Sequence, residues 1–387
     1  MKTLSLYFVA ALYLSTLPSI AKTPSINYER ITIADRLLRP WDMAFIDENS
    51  ALITEKEGGL QLVNLHNGQK IEIQGLPTDV DNRNRSSIGD NSGLFAVKLD
   101  PDFSQNRWIY LSYAARDPNG LGTTTKVIRA RLNQHRLQSI EPLFTALPYS
   151  KDRYHYGGGM VFGSDDKLYF TVGERLFTEA DQPAMPIAQD YLERRGKIYR
   201  INRDGSIPED NPKISKNAVP GIYAVGIRAA QGLTVNPMTN EIWFSEHGTH
   251  QGDEINRLIS GANYGWPIHT SGKYRHAQYQ PPSLKDRRFT SPAWSWKQTV
   301  APTGLTFYTG SEFPEWHGDL FVAGLSRGSL WRIRTADGDI ANMEQLFINA
   351  PIRLRNVKQS PKGAIYLLTD EANGRLMKLQ PTTEDNH

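Results

Sequence analysis

GSDDKLYFTV (163–172) sets a four-residue polar turn ahead of a short apolar strand, and the same phrase occurs six times along the chain. The apolar runs are ALIT (51–54), WIYLSY (108–113), KLYFTV (167–172), EIWFSE (241–246), DLFVAG (319–324) and AIYLLT (364–369). Each follows a turn: DENS (47–50), DPDFSQN (100–106), GSDD (163–166), NPMTN (236–240), FPEWHG (313–318) and SPKG (360–363). Each leads on to a later strand: LQLV (60–63), VIRARL (127–132), GKIYRI (196–201), DEINRL (253–258), SLWRIR (329–334) and RLMKL (375–379). Runs of four to six β-branched and aromatic residues between Gly, Pro, Asp and Asn turns read as β strands. Six such phrases predict an all-β chain, a six-bladed β-propeller of four-stranded antiparallel blades with long loops at the channel mouth. A β-sandwich is the competing architecture, and it gives no reason for six similar phrases. ERITIA (29–34) is expected to complete the last blade and join the ends. Residues 77–92, 115–125, 174–195, 203–220 and 265–300 read as irregular loops, with a short helix near 186–194.

Composition narrows the chemistry. The 387 residues include no cysteine, which excludes a disulfide scaffold, a Cys-type zinc site, an iron–sulfur cluster and a thiol nucleophile. The formal charge is +3, with acids and bases mixed along the chain, so no nucleic-acid partner is expected. Met1-Lys2, the apolar run Leu4–Leu17 and the small-x-small exit Ser19-Ile20-Ala21 predict a secretory signal peptide over residues 1–21. Residues 22–387 then form one domain with no membrane span, in a periplasmic or secreted protein.

Three constellations could carry chemistry. Tyr154-His155-Tyr156 precedes Gly157-Gly158-Gly159, which allow close approach of backbone or ligand. His155 is either a packing residue or a general base. In Ile352-Arg353-Leu354-Arg355-Asn356, residues two apart in an extended chain face one side, so the two guanidinium groups point together. Such a pair suits an anionic ligand or belongs to a solvated edge strand. Arg228 is a further candidate cation. Glu246 to Glu254 (EHGTHQGDE) and GANYGWP (261–267) are oxygen-rich, glycine-broken segments that suit calcium or another ligand. His247 and His250 are a weak zinc pair without a third ligand.

Together these segments resemble the soluble quinoprotein aldose sugar dehydrogenases, the glucose/sorbosone dehydrogenase family. The resemblance runs in order through LLRPWDMAF, SGLFAVKLDPDF, HYGGGMVFG, GKIYRINRDGSIPEDNP, GIRAAQGL, EHGTHQGDEINRL, GANYGWP, APTGLTFY and IRLRNV. It implies a six-bladed propeller, pyrroloquinoline quinone (PQQ) in the channel mouth, calcium, and a small sugar as substrate with an unspecified electron acceptor. It assigns His155 as catalytic base, Arg228 as a catalytic cation, and Asn91, Arg228, Arg353 and Arg355 as cofactor-binding residues. It assigns the carbonyls of Gly248 and Thr249 to the cofactor-site calcium, and Glu254 with the Tyr264 carbonyl to a second calcium. Asn91 stands where the family usually has Gln, Ala229-Ala230 where it has Asn-Pro, Ser326 where it has Lys, and Thr249 where it has Pro. Tyr154 stands where glucose-oxidising members carry an acid. The implied activity is oxidation of an aldose C1 hydroxyl by hydride transfer to PQQ. The rival readings are a non-catalytic exported propeller that binds a carbohydrate or a protein at the same mouth, and a calcium-dependent hydrolase.

Overall fold

Apolar runs this short cannot bury themselves singly, and the turns between them are too tight for anything but antiparallel return. The computed structural model describes residues 28–82, 90–175, 184–285, 287–326, 330–336, 339–348 and 351–382, and nearly all its regular structure is strand. The expected signal peptide lies outside the described residues. The first strand, β1 (Tyr28–Leu37), stands outside blade 1. Blade 1 is β2 (Pro40–Phe45), β3 (Ser50–Glu55), β4 (Leu60–Asn64) and β5 (Lys70–Glu72). Blade 2 is β6 (Leu94–Leu99), β7 (Trp108–Arg116), β8 (Thr123–Asn133) and β9 (Arg136–Thr145). Blade 3 is β10 (Gly157–Phe162), β11 (Leu168–Val172), β12 (Lys197–Ile201) and β13 (Ile222–Val225). Blade 4 is β14 (Ala230–Val235), β15 (Ile242–Glu246), β16 (Glu254–Arg257) and β17 (Trp294–Ser295). Blade 5 is β18 (Pro302–Phe307), β19 (Leu320–Gly324), β20 (Leu330–Ala336) and β21 (Asp339–Leu346). Blade 6 is β22 (Leu354–Gln359), β23 (Ile365–Thr369) and β24 (Gly374–Pro381), completed by β1.

The expected six-bladed propeller is therefore present, and ERITIA does close it. β1 pairs antiparallel with β24, from Tyr28 opposite Pro381 to Leu37 opposite Gly374. Every sheet interface is filled with apolar side chains. Between blades 4 and 5, for example, Trp243, Leu305, Phe307, Leu320 and Trp331 pack together. Full burial of one such side chain contributes roughly 1.5–3 kcal/mol.

One irregularity recurs in all six blades. The pairing register shifts near the start of the innermost strand, between Pro40/Met43, Leu94/Val97, Gly157/Met160, Ala230/Gly232, Pro302/Leu305 and Leu354/Asn356. A bulge frees a backbone N–H that needs another acceptor. In four blades a hydroxyl on the second strand accepts it: Asp42 N to Thr54 Oγ1 (3.0 Å), Ala96 N to Ser112 Oγ (3.0 Å), Gly159 N to Thr171 Oγ1 (3.1 Å) and Gly232 N to Ser245 Oγ (3.2 Å). The same four hydroxyls donate to carbonyls of the next blade, at Phe95, Gly158, Ala230 and Thr303. Thr303 Oγ1 to Leu354 O (3.4 Å) and Asn356 Nδ2 to Trp41 O (3.1 Å) complete the circuit.

Some local expectations are corrected. DPDFSQN contains one helical turn, Phe103–Asn106, rather than a simple turn. The helix expected near 186–194 is only a 3-10 turn at Ile187–Gln189. The irregular stretch 115–125 is shorter, because β7 runs to Arg116 and β8 begins at Thr123. Among the described residues no helix is long and apolar enough to cross a membrane.

Close blade contact makes a direct prediction. A Cβ on Gly232 would lie 2.1 Å from the Thr303 carbonyl oxygen and 2.6 Å from Leu305 Cδ2. Gly232→Ala should therefore push blades 4 and 5 apart and cost about 2 kcal/mol. A urea melt showing the wild-type midpoint would contradict this packing.

Candidate active site at the channel mouth

The six innermost strands run in one direction around the channel, so the segments leading into them gather at one end. Second strands run antiparallel to them and deliver the residues just after their own ends to that same face. The entries supply Asn91, His155, Arg228, Arg353 and Arg355. The exits supply Lys56, Glu174, His247 and Asp370.

His155 stands two residues before β10 with φ 47°, and its imidazole is 12% exposed. Its Nδ1 donates to Glu174 Oε1 at 2.9 Å, because a carboxylate can only accept. That leaves Nε2 as the lone-pair nitrogen. Burial first, then the Arg228 guanidinium, brings the His155 pKa down to about 4 against the pull of Glu174. The ring is thus neutral at pH 7. Glu174 N also bonds the Arg228 carbonyl at 2.9 Å, tying the two residues to one turn. Arg175, itself buried, donates Nε to Tyr154 O (2.9 Å) and Nη1 to Thr123 O (3.0 Å), and lies 3.7 Å over the Tyr156 ring. These bonds hold the left-handed backbone of the His155 turn.

The glycines after His155 serve the fold. A Cβ on Gly158 would meet the Phe95 ring at 2.6 Å, and one on Gly159 would meet the Gln231 carbonyl at 2.4 Å. Their close approach is to neighbouring blades.

Arg353 and Arg355 do point together, and Leu354 is fully buried between them. Their shared anion is internal. Arg353 Nε is 2.6 Å from Asp370 Oδ2, and Arg355 Nη2 is 2.8 Å from Asp370 Oδ1. Burial pushes the Asp370 carboxyl up, but Arg355, Lys56 and Arg353 outweigh it and hold it well below the usual range. Arg355 Nη1 also reaches Gln231 Oε1 at 2.7 Å, across the mouth. Arg353 is half exposed, whereas Arg355 is almost fully buried.

Arg228 is buried, with its guanidinium 5.1 Å over the Trp266 ring and Nη1 3.3 Å from the His247 carbonyl. Burial lowers the His247 pKa to about 4, Asp253 opposing and Arg228 and Arg355 reinforcing. His247 Nε2 is buried with no hydrogen-bond partner among the described residues. His250 is exposed, and among the described residues neither histidine belongs to a group of three or more His, Cys, Asp or Glu that could hold a metal.

Gly248, Glu254 and Tyr264 line one small cavity with Glu246, Arg228 and Trp266. Burial and then the Glu254 charge push the Glu246 pKa up to about 8, against the N–H groups of Arg228 and Ala229. Glu254 is raised as well, chiefly by burial. A buried and a half-buried carboxylate, both held above their ordinary proton affinity, fit a divalent cation with oxygen ligands. Thr249 does not line this cavity, and its carbonyl accepts a 3.3 Å bond from Arg275 Nε. Among the described residues no cluster of three or more His, Cys, Asp or Glu could hold a metal by side chains alone. Any cation here would lean on backbone carbonyls.

Asn91 sits at the mouth through its backbone, N to Arg153 O at 2.9 Å, beside an Arg153–Asp90 pair at 2.7 Å. Ala229 is buried and Ser326 N bonds the Val300 carbonyl at 2.9 Å. For an anionic planar guest the mouth offers Arg228, Arg353, Arg355 and Lys56, against the acids Asp370 and Glu174. Together with His247 Nε2, that donor set fits.

Sequence reasoning missed Lys56, Glu174, Arg175, Gln231 and Asp370. The signal was positional: Lys56, Glu174, His247 and Asp370 each follow an apolar second strand within two residues of its end.

A model of the glucose/sorbosone dehydrogenase family matches residues 37–378. The chain is 32% identical over 368 residues to an aldose sugar dehydrogenase of Escherichia coli (strain K12), covering 93% of this chain and 94% of that protein. It is 30% identical over 431 aligned positions to quinoprotein glucose dehydrogenase B of Acinetobacter calcoaceticus, covering 91% and 87%. The crystal structure of the soluble Escherichia coli aldose sugar dehydrogenase in its apo form superposes with a TM-score of 0.81 at 31% identity, covering 92% of this chain and all of that one.

Asp370→Asn should leave two adjacent guanidinium groups without their shared anion and destabilise the fold by about 3 kcal/mol. An unchanged denaturation midpoint would show that the pair is held by something else.

Proposed function

The chain belongs to the glucose/sorbosone dehydrogenase family, and from that premise we propose that it is an exported quinoprotein oxidising the C1 hydroxyl of aldose sugars. The observation that carries this reading is the buried, neutral His155, fixed through Nδ1 by Glu174 and set beside Arg228. Names of two relatives, one an aldose sugar dehydrogenase and one a quinoprotein, support the substrate class and the cofactor. PQQ, when bound, would supply the two-electron acceptor for hydride from C1, and calcium would supply Lewis acidity.

The chain's own residues do the rest. His155 Nε2 takes the proton of the C1 hydroxyl as general base. Glu174 keeps the Nδ1 proton in place and stabilises the imidazolium that forms, so the ring neither flips nor changes tautomer. Arg228 and Arg355 present positive charge that needs no reorganisation when negative charge develops. Arg353 and Asn91 extend the cofactor-binding edge. The Gly248 and Thr249 carbonyls would hold the cofactor-site calcium, with the Arg275 bond to Thr249 given up. Glu254 and the Tyr264 carbonyl, beside Glu246, would hold a second calcium. The predicted leader over residues 1–21 is the basis for export.

Asp370 favours a second reading, a carbohydrate-binding propeller without redox activity, because it already offsets one of the two charges of the arginine pair. Purified protein mixed with PQQ and calcium and assayed for dye reduction over an aldose panel separates the two. Absence of both PQQ uptake and turnover would select the binding module.

His155→Ala should lower kcat by about 100- to 10,000-fold while PQQ uptake, read by absorbance, is retained. Undiminished turnover would remove His155 from this role. The His155 pKa of about 4 sets the pH behaviour. Below the ordinary imidazole pKa of about 6.5 the unfolded chain takes up a proton that the native ring refuses until about pH 4. Stability from this group is therefore complete above about pH 6.5 and falls as pH drops toward 4, while kcat/KM stays flat until the pH nears 4, where it falls to half. A base-limb midpoint near 6.5 would contradict the burial of His155.

A further inference from the structure

Below the mouth, the channel wall carries a second group of charges that the proposed oxidation does not use. Asp42 is the third residue of β2, whose neighbours around the channel are β6 and β22. Lys98 and Lys358 are the fifth residues of those two strands and approach Asp42 from opposite sides. Lys98 Nζ is 2.5 Å from Asp42 Oδ2, whereas Lys358 Nζ is 3.8 Å from Asp42 Oδ1. Val97 N (3.2 Å) and Asn356 Nδ2 (2.8 Å) also donate to this carboxylate. Its oxygens are thus committed to three donors, and Lys358 is left beyond hydrogen-bonding range.

The charges do not balance. Two ammonium groups face one carboxylate, and the side chains of Asp42, Lys98 and Lys358 are 2%, 15% and 20% exposed. Among the described residues, the others around this space include Arg355, already paired with Asp370, and no second acid. Burial, reinforced by Lys98 and opposed by Asp42, lowers the Lys358 pKa to about 8. A largely buried ammonium held 3.8 Å from its carboxylate is stabilised by a closer counter-ion. The space beside the group is small, about 10 Å³, enough for one water-sized guest.

We propose that Lys98 and Lys358 form a binding site for a small monovalent inorganic anion, of the size of chloride, on the channel wall between blades 6, 1 and 2. The anion gives Lys358 an acceptor closer than Asp42 and cancels the excess positive charge. It thereby links β22, β2 and β6, the inner strands at which the first and last parts of the chain meet. The site takes no part in the proposed oxidation, although Arg355 and Gln231 line the same space.

The test uses the full mature protein exchanged into chloride-free buffer at pH 7. Thermal midpoints are followed against added sodium chloride and, at equal ionic strength, sodium methanesulfonate, whose anion is too bulky for the site. Chloride should raise the midpoint saturably, by about 3 °C, and methanesulfonate should not. Lys358→Met should abolish the difference between the two salts. Crystals of the wild-type protein soaked in bromide should show an anomalous peak in contact with both Nζ atoms, which decides the matter if the variant does not fold. Coincident midpoints for the two salts, a Lys358→Met variant that keeps the chloride response, or the lack of a bromide peak between the lysines would each overturn the site.

Discussion

The hydrogen bonds that pass from blade to blade through a side chain are the constraint on which the rest of this structure depends. Each innermost strand bulges near its start, and a bulge leaves a backbone donor that cannot stay unpaired inside a packed ring. In four blades one hydroxyl satisfies that donor and gives its own proton to the next blade. Thr54, Ser112, Thr171 and Ser245 therefore couple the bulge in one sheet to the position of its neighbour. Where blade 5 has Ala323 and blade 6 has Leu368 at the corresponding place, Thr303 and Asn356 make the link from the inner strand instead.

The bulges adjoin the site. His155 and Arg228 lie just ahead of β10 and β14, and Arg355 lies at the bulge of β22, so all three reach one mouth from positions far apart in the chain. The scaffold then sets their electrostatics. Burial keeps the His155 and His247 rings neutral, and it forces Glu246 and Glu254 to hold protons more tightly. A base is most useful when neutral in the resting enzyme, and a carboxylate pair short of positive charge is most useful next to a metal. Both conditions follow from removing water around groups that the fold places close together.

Charge at the mouth is less one-sided than the arginine count suggests. Asp370 sits between Arg353 and Arg355 and holds them parallel, so the guanidinium groups are positioned before any ligand arrives. Preorganised cations need no realignment when a ligand binds, though part of their charge is already neutralised. The pair on Asp42 is built on the same scheme with fewer acceptors, and it is the imbalance there that sets it apart.

Much of this was legible beforehand. Six turn-and-strand phrases determined the blade count, because only a ring buries both faces of every short sheet, and ERITIA announced the closing strand. His155 stood out by its setting and Arg353 with Arg355 by their spacing, whereas Arg228 was singled out only through the family resemblance. The structure sets Arg228 beside His155 and both Arg353 and Arg355 on Asp370. What sequence did not disclose was their partners. Glu174 and Asp370 lie 19 and 15 residues from the groups they hold, and their role depends on antiparallel return within a blade. Gly158 and Gly159 read equally well as ligand clearance until neighbouring blades supplied Phe95 and the Gln231 carbonyl. Periodicity is written residue by residue, so the chain alone determined the strands and their number. Burial and pairing are properties of distance, so only the closed ring decided which charges are neutral, which are paired and which are left over.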